Sequence, residues 1–292
     1  MKIKKVRGVK DILPGEIEKW QWVESIAHSV FSNYGFKEIR VPIFESTALF
    51  SRGIGEATDI VEKEMYTFED KGGEKITLRP EGTASVARAY VENKLYNPPS
   101  LTKLYYIGPM FRYERPQAGR FRQFYQVGVE AMGSQSSSVD AEVMCMVMEF
   151  FQQVGLKKLE LQINSLGCLE CRPKYREILR KAAGEQVEEL CGNCQQRLDR
   201  NPLRLLDCKV EKCSEIAQIL PKTADHLCDL CDQDFNQLKD LLGLAEVEYT
   251  INPKLVRGLD YYSKTAFEIA SNDLGSQNAV CGGGRYDQLV EE

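Results

Sequence analysis

Residues 101–132 read LTKLYYIGPMFRYE, then RPQAGRF, then RQFYQVGVEAM. The two outer runs, Leu101 to Glu114 and Arg122 to Met132, are rich in aromatic and β-branched residues, and Pro116 and Gly119 fall between them. That pattern predicts two long strands joined as a long-looped antiparallel hairpin. From Phe111 to Arg122 the chain carries Arg112, Arg115, Arg120 and Arg122 against the one acid Glu114, a local excess of three positive charges. A guanidinium group is always charged, and its planar fork suits phosphate and carboxylate oxygens. The hairpin is therefore a candidate polyphosphate clamp; the plain alternative is a solvated charged turn.

Toward the N-terminus, Pro14 to Tyr34 repeats apolar residues every three or four positions and stops at Gly35, which predicts a helix. Phe36 to Pro42 follows as an alternating strand closed by proline. Met65 to Glu69 and Glu74 to Arg79 flank Asp70-Lys71-Gly72-Gly73, a second hairpin with turn chemistry to match. A helix is expected after Pro80-Glu81-Gly82, with Thr83 as its N-cap, which displays Glu81 at a strand-to-helix junction. Downstream, the pattern predicts a helix at Val139 to Val154, short helices in a cysteine-rich stretch, and strands at Leu159–Ile163, Val247–Ile251 and Ala266–Ala270. Strands joined by hairpins and long excursions, without regular βαβ alternation, argue for an α+β domain on an antiparallel sheet.

The whole chain has 292 residues, 38 Lys+Arg against 43 Asp+Glu, and a formal charge of −5. This balance excludes a uniformly basic coat for nucleic acid but leaves room for a local basic groove. No stretch approaches the ~20 apolar residues of a membrane span, and no apolar h-region follows the basic start, so a cytoplasmic protein with no membrane partner is expected. The two histidines are His28 and His226; neither has a Ser or Cys in a nucleophile context nearby, which argues against a Ser-His-Asp triad. Eight of ten cysteines lie between Cys168 and Cys231. Cys168/Cys171, Cys191/Cys194 and Cys228/Cys231 are Cys-x-x-Cys pairs, and Cys208/Cys213 is a looser fourth. Four pairs give the arithmetic of two tetrahedral zinc sites with four thiolates each; the plain alternative is reduced, buried cysteine. Spacing leaves open which pairs combine.

Two further constellations are Leu255-Val256-Arg257-Gly258-Leu259-Asp260-Tyr261-Tyr262 and Cys281-Gly282-Gly283-Gly284-Arg285-Tyr286-Asp287. The glycine triplet permits close backbone approach and lacks the Lys-Ser/Thr ending of a Walker loop.

Taken together, these stretches resemble one family. Phe111-Arg112-Tyr113-Glu114 is similar to motif 2 of class II aminoacyl-tRNA synthetases, the helix and strand ending at Pro42 to their dimer-forming motif 1, and Leu78 to Thr83 to their amino-acid-binding loop. Arg257 to Tyr262 and Gly283 to Asp287 resemble the two signatures of histidyl-tRNA synthetases, as does Val6 to Pro14. The resemblance implies a class II synthetase-like antiparallel sheet flanked by helices, with a catalytic domain at 1–164 and 245–292 and a helical cysteine-rich insertion at 165–244 that reaches toward tRNA. It implies activation of L-histidine with ATP and Mg2+ and transfer to the 3′ end of tRNA(His) by a homodimer; structural Zn2+ in the insertion is an expectation of the cysteine spacing alone, since thiolate ligands are not a general requirement of the family. Arg112 and Arg257 are implied as catalytic. Arg112, Glu114, Arg120 and Arg122 are implied to bind ATP, and Glu81, Gly82, Thr83, Gln126, Glu130, Arg257, Tyr261 and Tyr262 to bind histidine. Gln126 and Glu130 stand four apart on one strand and so share a face. The family continues past residue 292 into a motif 3 helix and an anticodon-binding domain, so the resemblance implies a catalytic region without them, with weakened ATP binding and tRNA selection. Two other readings compete. One is the non-catalytic relative that regulates ATP phosphoribosyltransferase, which typically loses the signature kept here from Arg257 to Tyr262. The other is a zinc-dependent RNA-binding module, which leaves the arginine hairpin unused.

Overall fold

The computed structural model describes residues 3–54, 58, 60–117, 119–259, 261–271, 273 and 278–290. The chain divides into two compact units, Met1–Gln135 with Glu149–Val154 and Gln288–Glu292, and Ser136–Met148 with Gly155–Asp287.

In the first unit α1 (Ile17–Asn33) ends on Gly35, whose φ of +79° suits glycine. The Gly35 N–H bonds to Ser32 O and the Phe36 N–H to Phe31 O, a Schellman closure that satisfies the last carbonyls of the helix. The strand expected over 36–42 is shorter: β1 is Lys37–Glu38, parallel to the later strand at 102–111. Its continuation is diverted because the buried Arg79 guanidinium takes the carbonyls of Val41 (2.9 Å) and Pro42 (3.4 Å), leaving them no strand partner to serve. There follow β2 (Phe44–Ser46), α2 (Thr47–Ile54), a π-helical turn at Ile60–Glu64, and the expected second hairpin, β3 (Tyr66–Glu69) and β4 (Lys75–Leu78). Asp70 closes that hairpin by accepting from the Gly72 and Glu74 N–H groups. Then come α3 (Thr83–Glu92), β5 (Thr102–Phe111) and β6 (Gln123–Met132).

Strands β5 and β6 pair antiparallel without a slip from Thr102↔Met132 to Phe111↔Gln123. One face of this pair, through Leu104, Tyr106, Met110 and Met132, packs on Val86, Ala89 and Tyr90 of α3 and on Val41. The sheet order is β1-β5-β6, with β2-β4-β3 as a separate antiparallel sheet.

Helix α4 (Ser137–Gln153) follows in sequence, then β7 (Leu159–Ser165), α5 (Cys171–Gly184), α6 (Gly192–Arg200), α7 (Glu211–Ile219), α8 (Asp229–Leu244), β8 (Tyr249–Ile251), β9 (Ser263–Ser271) and β10 (Ala279–Arg285). The second unit is built on the sheet β10-β9-β7-β8, antiparallel except for β7 with β8. Residues 165–244 belong to this unit. The glycine triplet, read from sequence as permitting close backbone approach, lies within β10. Among the described residues, no helix is long and apolar enough to cross a membrane.

Candidate active site and cysteine clusters

The strand-to-helix junction before α3 is built around Glu81, which is only 4% exposed. Thr83 is not the cap. Gly82 holds that position without a side chain to offer, and the Glu81 carboxylate reaches over it to accept the N–H groups of Thr83 (2.6 Å) and Ala84 (3.0 Å). The Thr83 hydroxyl in turn donates to Glu130 on β6 at 2.8 Å. Burial pushes the Glu81 carboxyl above the usual carboxylate range, against the pull of these N–H groups and of the Arg112 charge. Two buried acids bridged by one threonine, through its N–H to Glu81 and its hydroxyl to Glu130, form a site that favours a small cationic or N–H-bearing guest.

Gln126 and Glu130 share a face, as the spacing predicts: their partners across the sheet are Gly108 and Leu104, with Tyr106 midway between those two along β5. Tyr106 is the residue that the sequence reading missed. A Cβ at Gly82 or at Gly128 would overlap its ring, so the two glycines bracket a buried aromatic beside the two acids. The signal was Gly128 in mid-strand, which marks close approach.

Of the hairpin arginines, Arg112 is held at this junction and Arg120 and Arg122 pack within the hairpin itself. Arg112 donates through Nε to Pro80 O (2.8 Å), the carbonyl next to Glu81, and its guanidinium lies 5.2 Å over Phe124. Arg122 lies 3.9 Å over the Tyr113 ring and donates to Glu114 O at 3.3 Å. Arg120 pairs with Glu114 at 3.4 Å. The opening segment also enters here, because the Arg122 N–H bonds to Gly8 O at 2.7 Å. Ala118 lies outside the described residues.

In the second unit, Arg257 pairs with Glu268 of β9 at 3.5 Å and lies 5.5 Å over the Tyr262 ring. Gly282 stands opposite Glu268 across the β9–β10 pair, and a Cβ there would overlap the Arg257 guanidinium. Gly282 is thus the bed on which this arginine lies, while Gly283 and Gly284 lie against Phe267 and Tyr262. Tyr261 and Tyr262 are buried with ring centroids 4.6 Å apart, and Tyr286 meets Tyr261 edge-on at 5.8 Å. Arg285 forms a nearly buried pair with Asp140 of α4 at 2.7 Å, and Thr265 donates to the same carboxylate. Asp260 lies outside the described residues.

The cysteines resolve into two groups of four, Cys168, Cys171, Cys228 and Cys231, and Cys191, Cys194, Cys208 and Cys213. All eight are free thiols. Within the groups the sulfurs of Cys168 stand 3.7 Å from those of Cys171 and Cys228, Cys171 3.8 Å from Cys231, and Cys191 4.0 Å from Cys208. The first group lies at the N-termini of α5 and α8, the second at those of α6 and α7, where the helix dipole favours thiolate. Main-chain N–H groups of Cys168, Glu170 and Cys191 point at the sulfurs of Cys171, Cys168 and Cys213. Gly167, at φ +72°, leaves the room that the Cys171 sulfur occupies. Such a set, sulfur-only and supported by N–H donors, can hold a soft divalent metal.

The model of the family described as Histidyl-tRNA synthetase matches residues 8–292. The chain is 57% identical to a histidine–tRNA ligase of Desulfitobacterium hafniense over all 292 residues, which span 69% of that protein. It is 55% identical to a histidine–tRNA ligase of Halothermothrix orenii, of which it covers 70%. Among solved structures it is similar to apo histidyl-tRNA synthetase of S. aureus, with a TM-score of 0.79 and 44% identity over 99% of this chain and 68% of that one. A Bacillus halodurans protein described as an ATP phosphoribosyltransferase regulatory subunit/histidyl-tRNA synthetase aligns over 100% of this chain and 78% of its own with a TM-score of 0.72; at 22% identity it shows the fold alone.

Proposed function

Because the chain belongs to the histidyl-tRNA synthetase family, we propose that it activates L-histidine with Mg2+-ATP and transfers the histidyl group to the 3′ end of tRNA(His). The observation that carries this reading is the junction at residues 79–84, where two buried acids joined through Thr83 stand beside a carbonyl that holds the motif 2 arginine. In the first step a carboxylate oxygen of histidine attacks the α-phosphorus of ATP, pyrophosphate leaves, and the acyl–phosphate bond forms. Such a step needs positioning and positive charge where the phosphate charge rearranges. Arg112 and Arg257 are assigned to that charge, with Glu114, Arg120 and Arg122 on the rest of the nucleotide. Glu81, Thr83 and Gln126 are assigned to the α-ammonium group, with Gly82 giving the chain its close approach. Glu130, Tyr261 and Tyr262 are assigned to the imidazole, since a site that bonds both ring nitrogens rejects apolar side chains of similar size.

In this reading 1–164 and 245–292 form the catalytic domain, 165–244 is an insertion directed at tRNA with structural Zn2+ in its cysteine clusters, two copies pair through motif 1, and the enzyme works in the cytoplasm. The kept Arg257 and Tyr261-Tyr262 support catalysis over a purely regulatory role. Histidine-dependent exchange of pyrophosphate into ATP is the test. Exchange with histidine and not with other amino acids is expected; its absence, in this chain and in a version extended past residue 292, would overturn the reading.

A further inference from the structure

The stretch between β8 and β9 carries Arg257, Tyr261 and Tyr262, and its described residues form no helix or strand. Its conformation must therefore be held by what surrounds it within the second unit, and four anchors do so. Lys254 donates from Nζ to Ser214 O at 3.1 Å, and Ser214 follows Cys213. Arg204 donates to the Arg257 carbonyl at 3.4 Å, and its other amine pairs at 3.3 Å with Asp207, which precedes Cys208. Arg172, which follows Cys171, donates to the Tyr262 carbonyl at 2.7 Å. Lys264 exchanges backbone bonds with Leu166 (2.6 Å) and Gly167 (2.9 Å), immediately before Cys168. Each anchor therefore leads within a few residues to a cysteine of one of the two clusters.

The cysteine geometry says what keeps those anchors in place. A Zn–S bond of about 2.3 Å gives a regular tetrahedron of four sulfurs an edge of about 3.8 Å. All sulfurs of each group lie within 4.8 Å of one another; the four separations of 3.7–4.0 Å given above bracket that edge and are far from the roughly 2.05 Å of a disulfide. Helices α6 and α7 are nine residues each, short of the length at which helices hold themselves, so the segment needs a staple.

We infer that both clusters are tetrathiolate zinc sites, Cys168/Cys171/Cys228/Cys231 and Cys191/Cys194/Cys208/Cys213, and that they set the conformation of the Lys254–Lys264 stretch through Arg172 and Arg204. The second half of this inference rests on the assignment of Arg257, Tyr261 and Tyr262 to histidine. Arg172 and Arg204 are positioning residues: they hold backbone carbonyls of the stretch that meets the substrate.

The test uses the full chain, purified without chelator. Metal analysis is expected to give two zinc per chain; fewer than two, or another metal in their place, overturns the zinc assignment. Arg172→Ala and Arg204→Ala are expected to keep both zinc ions, raise the histidine KM in exchange about tenfold each and move the ATP KM less than twofold, with partial recovery in Arg172→Lys, which retains a donor. Calorimetric histidine affinity, measured on the same proteins, is expected to fall in parallel and gives a readout independent of turnover. Stripping zinc with a strong chelator is expected to weaken histidine binding, and added Zn2+ to restore it. Unchanged histidine affinity in both alanine variants and after stripping overturns the positioning role. Failure of the functional reading looks different: the parent chain neither binds histidine nor exchanges pyrophosphate, while the zinc count stands by itself.

Discussion

Glu81 sets the cost of burial against the gain from binding. Its carboxyl is pushed above the ordinary range by burial, and an arriving ammonium group favours the ionised form. The sign follows: as pH falls, Glu81 protonates before exposed glutamates do and ceases to attract the cation. Histidine affinity is therefore expected to fall as pH is lowered through that raised value and to be insensitive to Glu81 above it. Glu81→Gln should remove this acid limb and raise the histidine KM roughly 10- to 100-fold, the range expected for a lost hydrogen bond to a charged group; pH profiles of exchange for the two proteins, compared directly, cancel the titration of histidine itself. Tyr106 makes a second prediction. Gly128→Ala forces a methyl group into its ring, an overpacking expected to cost about 1–3 kcal/mol, read as a lower midpoint in urea.

Among the elements, β10 joins α4 through Arg285 and Asp140, both nearly buried. Removing Asp140 leaves the guanidinium with the more exposed Asp287 at 3.4 Å as a carboxylate partner, so Asp140→Asn is expected to be destabilising by less than the roughly 3–5 kcal/mol of a fully orphaned buried charge. The double variant Asp140→Leu/Arg285→Met, which removes both charges, should be nearer the parent; equal losses in single and double variants would refute the pairing argument. The elements also show what can be read in a sequence. The β5–β6 hairpin was legible because alternation and a Pro/Gly-bearing loop are local properties. The end of β1 was not, because a distant side chain, Arg79, claims the carbonyls of Val41 and Pro42. Strand β10 was hidden because three glycines carry no strand signal of their own; they are explained only by the Arg257, Phe267 and Tyr262 side chains lying on them. Residue spacing showed the cysteine pairs, but only the helix ends that carry them decide which pairs meet.

For the whole molecule, a net charge of −5 coexists with a hairpin that carries an excess of three positive charges, so charge suited to phosphate is gathered locally along the chain and not spread through the composition. The proposed pairing of two copies through the motif 1 segment would give a sedimenting species of twice the chain mass at micromolar concentration; a monomer would refute it. The two cysteine groups are nested along the chain. Cys191 and Cys208 are 17 residues apart, and both lie inside the span of 60 residues that separates Cys168 from Cys228. Closing the longer loop costs about 1 kcal/mol more chain entropy than closing the shorter. With zinc at both clusters, as inferred above, assembly from the unfolded chain would have a preferred order: the inner ion would be captured first and shorten the path that the outer one must close, so that during refolding a limiting first equivalent of metal is expected to collect at Cys191, Cys194, Cys208 and Cys213.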